Sequence, residues 1–316
     1  MSAHFADGVA AAAGRIVKSR WFPRGARHAI LEWKWSSDGR KAHAVPRRRA
    51  TFNEKVRFKM TSDRRPLLAT FSDKIATREY VAKVVGEHVL TELYLVTDDA
   101  GALRREALPR EVAVKATHGS GGCVLVAESA HPDRALPEPP AGWARFLVHP
   151  DSVDWARLRG LCREWLGLRY GHWEWGYRDL APRVLAEELL TDGGAVPTDF
   201  KLFTFNGRVR LVEVDFDRYG SIARTLYTPG WELLPVELRY PRGPEAPRPD
   251  GLGEMIAIAE RLAAPVDFLR VDFYALGSRI VVGELTSYPG AGASSVDPES
   301  FDTELGSWWA QPRVYR

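Results

Sequence analysis

Apolar residues recur at three- and four-residue spacing through TFNEKVRFKM and DKIATREYVAKVVGEH, which predicts helices between residues 51 and 88. Ser72 is a candidate cap there and Gly86 a stop. EHVLTELYLVTDD reads as a short strand closing this first lobe. Residues 112–127, VAVKATHGSGGCVLVA, read as two apolar strands around a glycine-rich loop. ESAHPDRALPEPPAG is a surface loop rich in proline and acid. VDWARLRGLCREWLGLRYG has helical period, with Trp155, Leu158, Leu161, Cys162, Trp165 and Leu166 on one side.

From residue 183 the pattern changes to strands and tight turns. RVLAEELL is followed by the turn TDGG, then TDFKLFTF, Asn206-Gly207 and RVRLVEVDF, the strongest hairpin signal in the chain. After a proline-rich stretch, GLGEMIAIAERLAA predicts a helix, then VDFLRVDFY, a Gly277 turn, RIVVGELT and the loop SYPGAGASS. Helices first and hairpins later indicate α+β lobes rather than a regular parallel α/β sheet. The expected divisions are a helical arm over 1–50, a first lobe over 51–111, a central lobe over 112–190 and a C-terminal lobe over 191–316.

Composition narrows the class. With 316 residues, 45% hydrophobic, the chain has material for a large core in two or three lobes. A net charge of +3 is too weak to imply nucleic-acid binding, even with the basic Arg47-Arg48-Arg49 in the arm. Two cysteines, Cys123 and Cys162, exclude a disulfide framework, and no Cys/His spacing suggests zinc. No run approaches a signal peptide or a membrane span, so a soluble cytoplasmic protein without membrane insertion is expected.

The choice of cation carries more. The chain has 9 Lys against 35 Arg, and after Lys83 only Lys115 and Lys201 against 23 Arg. An ammonium makes a point contact with phosphate oxygens where a guanidinium makes a planar fork. Both lysines lie inside apolar strand-like runs. Successive backbone N–H groups in HGSGG can form an anion-binding concavity, although the loop is no Walker A motif and Val124 spoils a GxGxxG reading. Alone it reads as a hairpin turn before a phosphate cradle, and Lys115 one strand away brings the two readings level.

In LRVDFY, Arg270 and Asp272 share one strand face. A three-residue loop Leu276-Gly277-Ser278 with a glycine bulge would set Arg270 opposite Glu284 and Asp272 opposite Val282. Arg270, Asp272 and Glu284 would then converge, with Val281 and Leu285 joining Val271 and Phe273 in the core. A two-residue loop would turn Glu284 away. Two carboxylates and an arginine on one face suit Mg2+ bridging nucleotide phosphates, or a salt-bridged solvent face. Asp199 and Lys201 repeat the pattern of polar residues within an apolar strand.

In this order, VKATHGSGG, RVLAEELL, DFKLFTFNGRV and RVDFY…VVGELTSYPGAG are similar to the ATP-grasp fold. TFNEK, DKIATREYV, HGSGG, YPGAG and ELGSWW resemble its TupA-like branch, named for teichuronopeptide biosynthesis, from about residue 51 to 309. The resemblance implies two α+β lobes clasping ATP. By that likeness Lys115 would contact the α- and β-phosphates, Gly119, Ser120, Gly121 and Gly122 would close over them, and His118 beside the loop would either touch a γ-phosphate or pack the loop. Glu187, Glu188, Leu189 and Leu190 would form the hinge that reads adenine. Lys201, with Asp199 nearby, would be a second phosphate contact. Asp272 and Glu284 would hold Mg2+, Thr286 standing where the family has an Asn ligand. Arg270 would stabilise the phosphoryl group in flight.

The implied activity is an ADP-forming carboxylate–amine ligase working through an acyl-phosphate. Its small-molecule partners would be an amino acid or uronic acid and an amine, in cell-surface polymer or peptide natural-product biosynthesis. Arg218 and Arg224 would bind an acidic co-substrate or stand as solvated arginines, and HWEWGYRDLAPR would pack the core before it lines a substrate cleft. A phosphotransferase acting on a hydroxyl and a non-catalytic binding domain are the alternatives.

Overall fold

In the computed structural model, residues 50–171, 173–217 and 220–315 are described. The expected helical arm, with Arg47, Arg48 and Arg49, lies outside them apart from Ala50, and so does Arg218.

Helix α1 (Phe52–Ser62) starts at a capping box. The Thr51 hydroxyl accepts from the Glu54 amide, and the Glu54 carboxylate accepts from the Thr51 amide at 2.9 Å. Its buried stripe, Phe52, Val56 and Met60, follows the four-residue repeat. After α2 (Leu67–Ser72), helix α3 (Lys74–Val84) is capped by Asp73, whose carboxylate accepts from the Ile75 and Ala76 amides. Ser72 is not the cap. It ends α2, and its hydroxyl donates to the Leu68 carbonyl at 2.9 Å. Gly86, at φ +131°, stops the run as expected.

The first sheet has five strands, β1 (Leu93–Thr97), β2 (Val112–Ala116), β3 (Cys123–Val126), β4 (Arg145–Val148) and β5 (Val184–Glu187), in the order β1-β5-β2-β3-β4. Strand β1 pairs antiparallel with β5, so it belongs to this sheet and crosses the boundary expected near residue 111. Alternation sorts the residues. Val112, Val114, Ala116, Val184 and Ala186 pack against helix α4 (Trp155–Gly167) through Leu158, Leu161, Cys162 and Trp165. The other face carries Ala113, Lys115, Leu185 and Glu187.

The second sheet joins β6 (Asp199–Phe205), β7 (Arg208–Phe216), β8 (Ala223–Tyr227), β9 (Leu233–Leu234), β11 (Phe268–Leu276) and β12 (Arg279–Thr286) in the order β12-β11-β6-β7-β8-β9. Asn206 and Gly207, at φ +48° and +79°, make the tight turn between β6 and β7. Helix α5 (Leu252–Ala263) covers one face with Leu252, Met255, Ile258 and Leu262. On the opposite face Phe203, Phe205 and Phe268 cluster with Phe52 of α1 and with Trp309, which follows α6 (Ser300–Trp308). A two-strand ribbon, β10 (Glu237–Leu238) with β13 (Val296–Asp297), completes the chain.

The β11–β12 hairpin departs from the expected loop. Leu276 pairs directly with Arg279, so Gly277 and Ser278 form a two-residue turn. Glu284 nevertheless keeps its face, because a bulge at Gly283 resets the register: Asp272 lies opposite Glu284, Arg270 opposite Thr286 and Phe273 opposite Val282. A Cβ on Gly283 would fall 2.8 Å from the Tyr274 ring, so the bulge has room only for glycine. Val281 pairs with Tyr274 rather than joining Val271 and Phe273, while Leu285 does lie beside Val271.

Candidate active site

Cross-strand pairing builds one polar row across the second sheet. Glu284, Asp272, Lys201 and Glu213 stand side by side on β12, β11, β6 and β7. The next row holds Tyr274, Asp199, Asp215 and Arg224. Arg270 forks onto Asp272 through two bonds of 2.7 Å, and Lys201 donates to Asp272 at 3.0 Å and to Asp199. Burial works against the Asp272 charge. Arg270 and Lys201 outweigh it and bring the carboxyl down to about 2. Burial also opposes the Arg270 charge, but Asp272 holds it above the usual arginine range. The Thr286 hydroxyl accepts from Arg270 at 3.0 Å and donates to Glu284 at 3.3 Å.

The facing wall comes from the first sheet and α3. Lys115 donates to Glu187 at 2.5 Å, and the same carboxylate accepts from Arg78 at 3.0 Å and Thr91 at 2.6 Å. Burial opposes the charge on Lys115, yet Glu187 holds it protonated above the ordinary lysine range. Reciprocally, burial would raise the Glu187 carboxyl, and Lys115 overcomes this to lower it. Lys74, at the start of α3, donates to the Gly119 carbonyl at 2.7 Å, and burial lowers its pKa.

One cleft collects these groups: Lys74, Lys115 and Arg145 with Ser120 and Gly121, and Asp272 and Glu284 across from them. An apolar recess of Ala113, Leu125, Leu189 and Val196 opens off it beside Glu188 and Leu190. The glycine loop lies on Trp143. A Cβ on Gly121, whose φ is +95°, would stand 2.2 Å from the Trp143 carbonyl oxygen, and one on Gly119 would stand 2.6 Å from the Trp143 ring.

Several expected residues are placed differently. His118 is buried, its Nε2 facing the Trp165 and Leu168 carbonyls at 3.0 and 3.2 Å and its ring edge-on to Trp143, and burial lowers its pKa. It packs the loop and does not line the cleft. Lys201 is 2% exposed and reaches the cleft through Asp272, with Asp199 wholly buried behind it. Arg224 is also enclosed, bonded to Asp215, the Leu238 carbonyl and Glu213 with Tyr240 against its guanidinium, so its donors serve the sheet. The Glu187 side chain holds Lys115, and Glu188 pairs with Arg279 of β12 at 2.5 and 2.8 Å.

Lys74 was missed because a lysine at the first turn of a polar-faced helix looks ordinary. The signal was its place immediately after the capping Asp73. The aromatic loop after α4 reads in the sequence as core packing before cleft lining. Its Tyr177 does line the cleft.

The profile of the TupA-like ATP-grasp family matches residues 54–309. The chain belongs to the TupA-like ATP-grasp family. ATP-grasp proteins are typically ATP-dependent ligases that use ATP and Mg2+. Among solved structures the chain is similar to D-alanine–D-alanine ligase from Bacillus anthracis, at 15% identity, covering 75% of this chain and 64% of that one with a TM-score of 0.41. It is also similar to the ATP-grasp ligase PsnB complexed with a phosphomimetic variant of minimal precursor, Mg and ADP, at 14% identity, 71% and 52% coverage and a TM-score of 0.39. The ADP complex of purK, N5-carboxyaminoimidazole ribonucleotide synthetase, matches at 15% identity, 71% and 46% coverage and a TM-score of 0.40. The chain thus spans about half the length of the last two. No curated protein matches it. Among the described residues no helix is long and apolar enough to cross a membrane.

The donor set fits Mg2+. Among the described residues no group of three or more His, Cys, Asp and Glu side chains could hold a metal ion, so a cation at Asp272 and Glu284 would rely on phosphate and water oxygens. Mg2+ is bound in that way in nucleotide sites. Arg270 and Lys201 favour the ionised form of Asp272, and their three hydrogen bonds leave about one lone-pair site for a cation.

Proposed function

We propose that the protein is an ADP-forming carboxylate–amine ligase. The observation that carries this reading is one cleft in which Lys74 and Lys115 face Asp272 and Glu284 beside Ser120 and Gly121 of the glycine loop. Lys115 and Lys74 grip the triphosphate as point charges, and the Gly119–Gly122 backbone closes over it. Adenine enters the recess of Ala113, Leu125, Leu189 and Val196, its edge read by backbone groups of Glu187 to Leu190. Asp272 and Glu284, with the Thr286 hydroxyl, would hold Mg2+, which neutralises phosphate charge when bound.

Arg270 is fixed by its fork onto Asp272 and stabilises charge on the transferring phosphoryl group. A substrate carboxylate oxygen takes the γ-phosphoryl group and ADP leaves. An amine then attacks the acyl carbon, forming the amide as phosphate departs and the nitrogen gives up its proton. Positioning and charge supply the rate, so no side-chain nucleophile is required. Lys201 serves by orienting Asp272 rather than by touching phosphate. An amino acid or uronic acid is the acid we expect, and the medium is cytoplasmic.

The test is ADP and phosphate release by the purified chain with Mg·ATP, arrayed over pooled amino and uronic acids against pooled amines. Release that needs one member of each pool, with an amide identified by mass, is the expected result. Release with a single hydroxyl acceptor and a phosphorylated product would replace the ligase by a kinase.

A further inference from the structure

Strand register places Arg145 on the cleft face of the first sheet. It stands level with Cys123 of β3, which stands level with Lys115 of β2, so the three side chains share that face. Two strand spacings separate Arg145 from Lys115, roughly 10 Å. Strand β4 is the edge of the sheet, and a second hollow of about 300 Å³ runs along it. Residues Arg145 to Val148 line that hollow with Arg134 and Ala135 of the β3–β4 loop and Gly220 of the β7–β8 loop. Arg145 lines both the cleft and the hollow, so it stands where the two meet.

The other cations of the cleft are engaged. Lys115 and Arg78 share Glu187, and Lys74 donates to the Gly119 carbonyl. Among the described residues the Arg145 and Arg134 side chains make no hydrogen bond and no ion pair. Exposure alone does not account for this. Arg110 and Arg157 of the same lobe are exposed too, and each holds two carboxylates. No acidic side chain among the described residues lines the hollow, so two guanidinium groups leave it positive. A guanidinium fork matches the plane of a carboxylate, whereas the lysines of the cleft suit phosphate oxygens. One negative group would match one fork and leave the other charge unanswered.

We infer that Arg145 binds the carboxylate that ATP activates and that Arg134 binds a second carboxylate of the same molecule, so that the acid substrate is a dicarboxylate lying along the β4 edge. This rests on the ligase reading above and narrows its acid to one carrying two carboxylates. The reacting group lies on the cleft side of Arg145, and the second group lies in the hollow.

The binding test is calorimetric titration of glutarate into the full chain loaded with Mg·ADP, with butyrate as the monoacid control. Saturable glutarate binding is expected, weakened roughly tenfold or more by Arg145→Gln and by Arg134→Gln separately. Both arginines are exposed, so neither substitution should disturb the fold. Butyrate should bind more weakly, and Arg134→Gln should leave its affinity unchanged. No glutarate binding to the unmodified chain, or equal affinity in either variant, would overturn the assignment. Arg145→Gln should keep its affinity for Mg·ADP, and a roughly tenfold loss there would give Arg145 to the nucleotide and overturn the proposal. A kinetic arm separates this site from the ligase reading. With the acid identified by ADP release, each variant should raise the KM for the acid roughly tenfold or more and leave the KM for ATP unchanged. An active ligase whose acid is a monocarboxylate, or whose acid KM does not move, would refute the arginine site alone. Glutarate binding that depends on both arginines, without ADP release for any acid and amine, would keep the site and refute the ligase.

Discussion

Two buried ionic clusters in this protein look alike by residue type and differ in what they leave open. In the seam between α1 and the C-terminal segment, Lys59 is wholly buried and pairs with Asp63 at 2.8 Å and Asp267 at 2.7 Å. Arg65, Trp309 and Tyr315 supply the remaining bonds to Asp267. Each carboxylate there is matched by fixed donors, and the cluster ties α1 to the start of β11 and to Trp309 and Tyr315. In the cleft, Lys115 keeps 27% of its side chain exposed behind Glu187, and among the described residues Glu284 hydrogen-bonds only to the Thr286 hydroxyl. A lysine in an apolar run is therefore no mark of function. What marks the cleft is charge that the protein itself leaves incompletely matched.

Substitutions at the two clusters should separate activity from stability. Glu284→Gln should lower turnover by roughly 10²–10³-fold while leaving the thermal midpoint within a few degrees, because its carboxylate supports little of the fold. Steady-state ADP release and a melting curve check both halves, and full activity would remove Glu284 from the site. Lys59→Met should do the reverse. Asp63 and Asp267 keep Arg65 but each loses a buried charge-assisted hydrogen bond, which should cost about 1–3 kcal/mol in urea unfolding, with the KM for ATP unchanged.

Gly121→Ala forces a Cβ toward the Trp143 carbonyl at a positive φ. It should destabilise by about 1–3 kcal/mol and raise the KM for ATP, whereas Gly142→Ala, with open space around its Cβ, should cost less by avoiding the clash and should leave that KM unchanged.

The smallest effect is a pH dependence at Glu213. Burial pushes its carboxyl up to about 7, Asp215 adding to this and Arg224 opposing it. A carboxyl raised in the fold contributes stability that is present below its unfolded value, about 4.3, and is lost as pH rises through about 7. Between those limits the unmodified chain should lose more thermal stability than Glu213→Gln. Parallel curves would show that Glu213 titrates normally.

The helices of the first hundred described residues and the β6–β7 hairpin were legible because the relevant signals are local: a four-residue stripe, Asn-Gly, and a glycine stop. The carboxylate face of β11 was legible for the same reason. The β11–β12 register was not, because Gly283 sits inside an alternating apolar run and only the Tyr274 ring across the hairpin makes it a bulge. Strands β8, β9, β10 and β13 are short and polar-flanked, so alternation never accumulates. Lys74 escaped for another reason: it is an ordinary charged residue until the fold brings it against the Gly119 carbonyl of the glycine loop.

The most direct measurement is calorimetric titration of Mg·ADP into the unmodified chain and into Lys115→Met, in which Arg78 still neutralises Glu187 and the fold is kept. Saturable binding in the micromolar-to-millimolar range common to enzyme substrates, weakened at least roughly tenfold by Lys115→Met, is the predicted result. No binding to the unmodified chain, or equal affinity in Lys115→Met, would contradict a nucleotide gripped in this cleft.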